Sequence, residues 1–425
     1  MSERPWDVLV LGGGAAGMMA SIRAAEMGCR VLLIEKNKRP GVKILMSGGT
    51  RCNITHDCEN RDIVTAFGPN GKFLHSALAA LGTRQVVAFF EGEGVATKIE
   101  DTGKIFPVSD KAMDVLMALI HRMQRAGVTV ATEESVQELT PLPEGGFTVV
   151  TSKGSYTARQ VILTLGGQSY PGCGTRGDGY AIAQKLGHRI IPTRPALVPI
   201  TVNTEWPGEL RGITLPDVSV RVLEADKELS KRRSSLLFAH FGLSGPAALD
   251  VSRAISRHAL PQSLNLEVDL LPNEKEPDID KFLQTESLNS GKKQLAVVLA
   301  TQLPRRLADA ILSLLQMPAD RKASGLAKAD RQKLTQSIKR LRMPIRGTLG
   351  FEKAEVTAGG VALEEVDSRT MQSKIHPGLY LAGEILDVDG PIGGYNFQAA
   401  WSTGWLAGTR VAEQSRSLHD SLSRN

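Results

Sequence analysis

The sequence contains few of the residues that would place it in several familiar protein classes. Its four cysteines, Cys29, Cys52, Cys58 and Cys173, include no CxxC pair and have no histidine at ligand spacing, so neither a disulfide framework nor a metal site is indicated. Aromatic residues make up 5% of the chain, which gives little sign of a surface that stacks nucleic-acid bases. We therefore expect a reducing, cytoplasmic location.

Long apolar runs are also missing. The run from Val8 to Ala20 is interrupted by glycines, and no other run is long enough to span a membrane. The chain has 425 residues, of which 42% are hydrophobic. This is enough to bury a sizeable core, and the length predicts two or three domains. We predict a soluble globular protein with no membrane partner.

The positive charge is unevenly distributed. The formal net charge is +6, and the segment 321–346 holds nine Lys and Arg residues against one acid. Because helical periodicity extends over this segment, its basic side chains are consistent with contacts to a phosphate backbone. They are equally consistent with an ordinary solvated helix face.

The most informative segment is Asp7 to Glu35, which reads DVLVLGGGAAGMMASIRAAEMGCRVLLIE. It predicts a strand, a tight glycine turn, a helix and a second strand that ends on a carboxylate. Gly12 permits the turn, Gly14 lets backbone N–H groups approach a pyrophosphate, and Gly17 lets the helix pack closely on the sheet. The carboxylate of Glu35 can accept hydrogen bonds from a ribose, which favours FAD or NAD over NADP.

The segments up to residue 192 suit a flavoprotein-type nucleotide domain. Residues 73–126 are mostly helical in pattern, with a short hairpin between Gly92 and Pro107. Beyond them we predict strands, a hairpin whose second arm is 154–158, and a separate apolar strand at 160–165.

The segments after Pro192 have a different character. Short alternating β segments separated by Pro and Gly predict a small antiparallel sheet or barrel. A polar linker at 272–280 then precedes helical periodicity up to Leu341. Nucleotide-domain character returns from Gly350, with a long helix from about Asn396.

Two further glycine-rich loops carry candidate cofactor contacts. Residues 41–55 read GVKILMSGGTRCNIT, which favours a loop around pyrophosphate and flavin over a purely structural turn. Residues 164–179 contain a second formal GxGxxG, but it begins too far beyond the strand end to form a second nucleotide site. We expect Gly166 and Gly167 to approach the dinucleotide and the loop 170–178 to lie over the flavin or substrate. No separate NAD(P)H domain is visible.

The segment 383–398, GEILDVDGPIGGYNFQ, ends in a glycine pair just before a helix. A helix N-terminus stabilises the negative charge that develops on a reduced flavin, and 393–398 is the candidate for that role. Glu384 or Asp387 is expected to bind the ribityl chain or, alternatively, to cap its helix. His188 and His240 lie beside apolar or glycine residues, where a structural role is favoured, and His240 is the better catalytic candidate.

These motifs together resemble the BaiN/RdsA-type flavoprotein family, whose members are NAD(P)/FAD-dependent oxidoreductases. The resemblance covers nearly the whole chain, and its blocks are GGGAAG at 12–17, KILMSGGTRCNIT at 43–55, KIFPVSDKAMDVL at 104–116, GGQSYPGCGTRGDGY at 166–180, LLFAHFGLSGP at 236–246, VTAGGV at 356–361, TMQSKIHPGLYLAGEILDVDG at 370–390 and GGYNFQAAW at 393–401. The chain departs from the common family pattern at Thr50 and His56.

The resemblance implies an α/β fold in which a Rossmann-like FAD-binding domain is interrupted by an antiparallel β-barrel-like domain and a small helical domain. The expected boundaries are 1–193 and 346–425 for the FAD-binding domain, 194–271 for the barrel and 272–345 for the helical domain. The family includes a ribosomal RNA dihydrouridine synthase, a bile-acid enone reductase and an aminoacetone oxidase.

The leading hypothesis is an FAD enzyme that takes electrons from NADH or NADPH and reduces an electron-poor C=C bond in a small molecule or in ribosomal RNA. The alternatives are an amine oxidase that uses oxygen and a flavin-bound RNA-binding protein without turnover. Candidate proton donors are Cys52 and Tyr395, followed by Tyr170 and His240. The expected cofactor contacts are Gly12, Gly14, Ala15, Ala16, Gly17, Glu35, Lys36, Lys43, Ser47, Gly48, Arg51, Asn53, Val136, Gly166, Gly167, Gly383, Glu384, Asp387, Gly394, Asn396 and Phe397.

Overall fold

The chain folds as two units, one of which is inserted into the other. The computed structural model describes residues 5–422, with side chains up to residue 416. Unit 1 comprises residues 1–195 and 355–425, and unit 2 comprises residues 196–354. The outermost residues of the two predicted FAD-binding segments, 1–4 and 423–425, lie outside the described residues.

The described residues form parallel and antiparallel strands. In chain order they are β1 (Trp6–Leu11), β2 (Val31–Ile34), β3 (Thr55–His56), β4 (Thr97–Ile99), β5 (Lys104–Pro107), β6 (Thr129–Ala131), β7 (Val136–Pro141), β8 (Phe147–Thr151), β9 (Ser155–Leu163), β10 (Ile190–Ala196), β11 (Ile200–Val202), β12 (Thr214–Glu224), β13 (Lys227–Ala239), β14 (Gly242–Ser244), β15 (Leu264–Asp269), β16 (Leu341–Thr348), β17 (Val356–Val361) and β18 (Leu379–Leu381).

The helices vary widely in length. In chain order they are α1 (Ala15–Glu26), α2 (Val42–Met46), α3 (Asn60–Ala66), α4 (His75–Ala80), α5 (Thr83–Gly92), α6 (Ala112–Arg125), α7 (Asp178–Lys185), α8 (Trp206–Glu209), α9 (Pro246–Arg257), α10 (Glu276–Asn289), α11 (Leu295–Leu299), α12 (Arg305–Leu314), α13 (Lys328–Lys339) and α14 (Tyr395–Leu422). Short 3-10 helices occur at Ser47–Thr50, Gly68–Leu74, Pro171–Cys173, Pro261–Ser263 and Leu363–Glu365.

The main sheet of unit 1 confirms the predicted nucleotide fold. Its order is β6-β2-β1-β9-β8-β7, with β18 also paired to β9. The strands around β1 are parallel, and Val8 to Leu11 are fully buried, as expected for a sheet covered on both faces. The predicted strand, turn, helix and strand at the start of the chain are confirmed as β1, α1 and β2.

One strand is longer than predicted. We expected a hairpin arm at 154–158 and a separate strand at 160–165, but most residues of both belong to one strand, β9, which runs from Ser155 to Leu163. Its first residues pair antiparallel with β8, and its later residues pair parallel with β1 and β18. The reason is that Arg159 interrupts the apolar pattern without interrupting the backbone pairing.

Helix α14 packs along α1 through small residues. A Cβ atom on Gly404 would lie 2.3 Å from the carbonyl oxygen of Ala16, and one on Gly408 would lie 2.4 Å from that of Ala20. Only glycine permits this approach of the two backbones. No single helix of the described residues is long and apolar enough to cross a membrane, although the bent pair Gly68–Ala80 and Thr83–Gly92 passes by length and composition when counted together.

Unit 2 contains a closed barrel with the order β11-β14-β13-β12-β15-β16. Its interior is filled by buried side chains such as Val220, Phe238 and Leu266. Helices α10 to α13 lie in sequence between β15 and β16. Residues 341–345, expected in the helical segment, instead belong to β16, because alternate residues from Leu341 to Ile345 are buried.

The polar segment 272–280 was predicted as a linker, and this is wrong for its second half. Helix α10 begins at Glu276, with Pro277 in its first turn. Proline is tolerated there because the N–H groups of the first turn have no partner within the helix. The division of the insertion into separate barrel and helical domains stays a prediction.

Candidate functional site

The glycine turn after β1 leads directly into the uncapped start of α1. A Cβ atom on Gly17 would lie 1.9 Å from the carbonyl oxygen of Gly12, so only glycine lets the helix begin this close to the strand. At Gly14 the space around an added Cβ is open to 4 Å. No side chain caps the helix, so the first N–H groups of α1 have no side-chain partner. Uncapped N–H groups and the helix dipole favour a phosphate there.

A threonine that the sequence analysis did not single out supports this turn. The hydroxyl group of Thr164 lies 2.9 Å from the carbonyl oxygens of both Leu11 and Gly12. Thr164 directly follows β9. The end of a parallel strand beside the first one was the available signal, since such strand ends meet at one edge of the sheet.

Glu35 lies at the tip of β2 and is almost buried, with 7% exposure. One carboxylate oxygen accepts a hydrogen bond from the N–H of Gly13 at 2.8 Å, and the other accepts one from the N–H of Asn37 at 2.8 Å. Each oxygen retains lone-pair capacity for a ribose hydroxyl. The segment leading to Val136 lies beside it, because the N–H of Glu134 donates to the carbonyl oxygen of Glu35 at 3.0 Å.

The loop 170–178 folds against the same end of β2. The side chain of Asn37 donates to the carbonyl oxygen of Cys173 at 3.1 Å, and Lys36 forms an ion pair with Asp178. Tyr170, one of the candidate proton donors, begins the loop in the left-handed region with φ of 56°. The structure therefore places Lys36 and this loop together.

A polar cluster joins three distant segments of unit 1. The ammonium of Lys43 donates to Ser169 at 2.6 Å and to Glu384 at 2.8 Å. The other carboxylate oxygen of Glu384 accepts from the hydroxyl of Ser169 at 2.7 Å and from the N–H of Thr357 at 2.7 Å. Ser169 and Thr357 were not predicted, although both lie inside sequence blocks that carry the family resemblance.

The cluster adjoins the glycine turn. An added Cβ on Gly383 would lie 2.7 Å from the Cβ of Ala16, in the first turn of α1. Gly166 and Gly167 precede Ser169, and an added Cβ on Gly167 would lie 2.4 Å from the hydroxyl of Thr357. The predicted contacts at Ala16, Lys43, Gly167, Gly383 and Glu384 are thus brought into one region.

The loop after α2 has a strained backbone, and several of its side chains bond to other parts of the protein. Thr50 and Cys52 have φ values of 71° and 62°, which is uncommon for residues with side chains. The hydroxyl of Ser47 donates to the carbonyl oxygen of Ile44 at 2.7 Å. Arg51 pairs with Glu100 at 2.7 Å and stacks 3.9 Å over the ring of Phe106.

Asn53 ties this loop to the start of α14. With its amide oriented to satisfy both atoms, it donates to the carbonyl oxygens of Thr55 and Ile105 and accepts from the N–H of Gly394 at 2.9 Å. Gly48 packs against the backbone of Asn53, since an added Cβ on Gly48 would lie 2.9 Å from the backbone nitrogen of Asn53. The Asn53 side chain is therefore committed to positioning the loop.

The first residue of α14, Tyr395, stacks on His56 with ring centroids 4.8 Å apart. Nδ1 of His56 lies 3.0 Å from the carbonyl oxygen of Gly393, so the tautomer with a proton on Nδ1 donates to it. Asn396 holds the preceding turn by accepting from the N–H of Gly390 at 2.8 Å, and Phe397 stacks on Trp401 at 5.2 Å. His56, which the sequence analysis noted only as a departure from the family pattern, is thus the direct neighbour of the candidate proton donor Tyr395.

Two further candidates have environments that perturb their proton affinity. Burial raises the pKa of the Cys52 thiol to about 12, and the residue is fully buried. Burial, reinforced by the neighbouring Asp389, raises the pKa of Asp387. Asn70 donates to the backbone carbonyl of Asp387 at 2.7 Å.

The two histidines differ in position. His188 is buried, with Nδ1 3.1 Å from Glu365 and Nε2 3.0 Å from the hydroxyl of Ser373, which confirms the structural role. His240 lies in unit 2, between β13 and β14, with its ring 4.9 Å from that of Phe241. All the other candidate proton donors lie in unit 1.

The donor set fits FAD. The uncapped start of α1 suits a pyrophosphate, the shielded Glu35 suits an adenosine ribose, and the start of α14 supplies a second helix N-terminus for a charged ring. A Cβ at Gly14 would enter the open space that a phosphate requires. A Cβ at Gly17, Gly167 or Gly383 would instead meet protein atoms.

Comparison with known sequences gives near full-length matches. Residues 6–410 match the profile of the HI0933-like protein Rossmann domain. A ribosomal RNA dihydrouridine synthase of Escherichia coli (strain K12) is 36% identical over 400 residues, which cover 94% of this chain and 96% of that protein. A 3-dehydro-bile acid delta(4,6)-reductase of Clostridium scindens is 33% identical over 408 residues, which cover 95% and 98%.

A solved structure shares the fold. The 3-ketosteroid-delta4-(5alpha)-dehydrogenase from Rhodococcus jostii RHA1 superposes with a TM-score of 0.54 and 16% identity, covering 96% of this chain and 97% of that one. At this identity the likeness concerns the fold alone.

Proposed function

Because the chain belongs to the HI0933-like family of FAD-binding oxidoreductases, we propose that it reduces an electron-poor C=C bond with electrons from NADH or NADPH. The substrate that we favour is a uracil ring in ribosomal RNA. The observation that carries the proposal is the near full-length similarity to two relatives, one named as a ribosomal RNA dihydrouridine synthase and the other as a 3-dehydro-bile acid delta(4,6)-reductase.

The two named reactions share their chemistry. In uracil and in a bile-acid enone, the C=C bond is conjugated with a carbonyl group, so the carbon distant from the carbonyl accepts a hydride. The carbon next to the carbonyl then needs a proton. FAD, when bound, would supply the hydride, and the protein would supply the proton and the geometry.

The residues of unit 1 would hold the cofactor along its length. The first turn of α1 would bind the pyrophosphate, and Glu35 would bind the adenosine ribose. Lys43 and Glu384 would offer a cation and a carboxylate to the polar chain between the phosphates and the ring. The start of α14 would stabilise negative charge on the reduced ring through its N–H groups.

The proton donor that we favour is Tyr395. Its phenol is half-buried, and its ring is oriented by the stack on His56. Cys52 is protonated at neutral pH, since its pKa is about 12, but its complete burial keeps a substrate from reaching it. We therefore assign Cys52 to packing of the strained loop.

The decisive experiment incubates the purified FAD-loaded protein with NADH or NADPH and ribosomal RNA from cells that lack it. Mass spectrometry of the RNA should show a gain of two daltons at a uridine. A Δ4 enone steroid and oxygen serve as competing acceptors. Reduction of the enone alone would assign a small-molecule substrate, and hydrogen peroxide as the sole product would assign an oxidase. A flavin that neither nicotinamide reduces would favour the non-catalytic RNA-binding role.

A further inference from the structure

Unit 2 carries a groove on its surface that is lined by cations and no acids. Its volume is about 290 Å³, and its lining residues are Leu315, Lys333, Gln336, Ser337, Arg340 and Arg342. Three of these six side chains are positively charged, and two more are neutral hydrogen-bonding groups. Such a lining is complementary to an anion.

The secondary structure explains why these side chains share one face. Lys333, Ser337 and Arg340 are spaced by four and three residues, so they line one side of α13 and its end. Leu334 and Ile338, on the opposite side, are buried in the core of unit 2. Arg342 points outward from β16, where exposed and buried residues alternate.

Two of the cations, Arg340 and Arg342, form ion pairs with acids that do not line the groove. Nε of Arg342 lies 2.7 Å from Glu267, a buried carboxylate that also pairs with Arg221. Arg342 also lies 3.3 Å from the exposed Asp226, so acids compensate its charge while half of its side chain stays exposed. Arg340 pairs with Glu276 at 2.8 Å and is still 52% exposed. Among the described residues, Lys333 forms no ion pair, so its full charge is available to a ligand.

Three other basic residues of the segment 321–346 form ion pairs within unit 2. Arg321 pairs with Asp330, Arg331 with Asp280, and Lys339 with Asp269 at 2.7 Å. Lys339 also donates to two backbone carbonyl groups. The groove thus combines Lys333, which has no ion pair among the described residues, with Arg340 and Arg342, which are about half exposed although each is paired with an acid.

We propose that this groove binds phosphate groups of an RNA backbone. The inference rests on the proposed function, which makes RNA the substrate, and it assigns the contact to Lys333, Arg340 and Arg342. The groove opens along the outer side of α13, which suits a chain of phosphates that crosses the surface. Arg346, exposed on the same side of β16 as Arg342, would extend the contact.

The test is RNA binding by the FAD-loaded protein, measured by fluorescence anisotropy with a labelled single-stranded RNA at several salt concentrations. The variant is Lys333→Gln with Arg340→Gln, which leaves the buried Glu267 paired with Arg342. The matched control is Lys328→Gln with Arg305→Gln, which removes two exposed charges from the same unit outside the groove. FAD content and thermal unfolding establish that both variants are folded.

The groove variant should bind RNA at least fivefold more weakly than the control. Its slope of log affinity against log salt should be shallower by about 1.4, since each lost phosphate contact on a single strand accounts for about 0.7. Equal affinity and slope in the two folded variants would overturn the proposal. So would displacement of RNA by millimolar inorganic phosphate beyond the effect of equal ionic strength, because it would indicate a small-anion site.

The outcome is separable from that of the proposed function. A protein that binds RNA through the groove without reducing uridine would retain this inference and lose the proposed reaction. If the protein reduces uridine but the groove variant binds RNA as tightly as the control, the proposed reaction is retained and the groove inference is lost.

Discussion

The ammonium of Lys43 lies 2.8 Å from the carboxylate of Glu384, although 341 residues separate the two in the sequence. Their side chains are 28% and 22% exposed, so solvent screens the pair only in part. Ser169 bridges them. The pair closes unit 1 across the insertion, because the segment that carries Glu384 follows unit 2 in the chain.

This pair should show energetic coupling. Lys43→Met, Glu384→Gln and the double variant form a cycle whose coupling free energy of unfolding should be on the order of 1 kcal/mol. The reason is that either single change leaves a partly buried charge without its partner. Urea unfolding with FAD removed measures it. Lys36→Met with Asp178→Asn is the comparison cycle, since that pair is more exposed and should couple less. Additive single changes at Lys43 and Glu384 would contradict the expectation.

The two glycines of the nucleotide turn should respond differently to alanine. Gly17→Ala would place a Cβ 1.9 Å from a carbonyl oxygen, so the variant should be destabilised by several kcal/mol or fail to fold. Gly14→Ala meets no protein atom within 4 Å and should fold normally. It should nevertheless lose FAD affinity by tenfold or more, because the methyl group occupies the phosphate position.

Equilibrium titration of the apoprotein with FAD, monitored by flavin fluorescence, measures this difference. The control is Gly92→Ala, at the end of α5, where an added Cβ also meets open space. It should bind FAD as the parent does. A Gly14→Ala protein with unchanged FAD affinity would show that the pyrophosphate lies elsewhere.

Tyr395 should be needed for proton delivery and not for reduction of the flavin. Tyr395→Phe keeps the stack on His56 but removes the phenolic proton. Turnover with the C=C acceptor should fall by about 10²-fold or more, whereas anaerobic flavin reduction by NAD(P)H should keep its rate. Tyr156→Phe, which removes a phenol that donates to Glu134 at 3.3 Å, is the control. Equal acceptor turnover in both variants would exclude Tyr395, and Tyr170→Phe would then be tested.

Cys52 should make stability depend on pH in the alkaline range. Its thiol has a folded-state pKa of about 12 against an ordinary value of 9.0, so the folded state holds the proton more tightly than the unfolded state. The stabilisation is complete below pH 9 and is lost as pH rises towards 12. Between pH 8 and pH 10, ionisation of this thiol in the unfolded state should lower the free energy of unfolding by about 1.4 kcal/mol.

Urea unfolding of the parent and of Cys52→Ala at pH 8 and pH 10 isolates the effect, since all other groups titrate alike in the two proteins. The difference in stability between them should shrink by about 1.4 kcal/mol at the higher pH. A constant difference would mean that the thiol is solvated in the folded state.

The sequence predicted the parts of the fold that depend on local pattern. The alternation of β1, the glycine turn and the acid at Glu35 lie within one continuous segment, and each residue type there has one strong structural role. The start of α10 was missed because the polar segment 272–280 was interpreted as a linker, although a helix tolerates Pro277 in its first turn.

The site was less accessible to sequence reasoning because its contacts are non-local. Asn53 was predicted to touch the cofactor, which stays a prediction, and only the folded chain shows that its amide joins Thr55, Ile105 and Gly394. Thr357 and Ser169 are small polar residues of a common type, and only the folded chain places their hydrogen bonds on Glu384. His56 was noted as a departure from the family pattern, but its stack on Tyr395 depends on a helix that begins far along the chain.

The packing of α14 on α1 also affects the order in which the parts of the chain can fold during synthesis. Gly404 and Gly408 contact backbone atoms of Ala16 and Ala20, so the nucleotide turn acquires its final support only from a helix that is made after the whole of unit 2. At roughly 5 to 20 residues per second, the newly made N-terminal segment waits on the order of tens of seconds for that helix. During this interval the barrel of unit 2 can form first, and the apolar surface of α1 is exposed to chaperones. FAD capture is therefore expected only after α14 has been made.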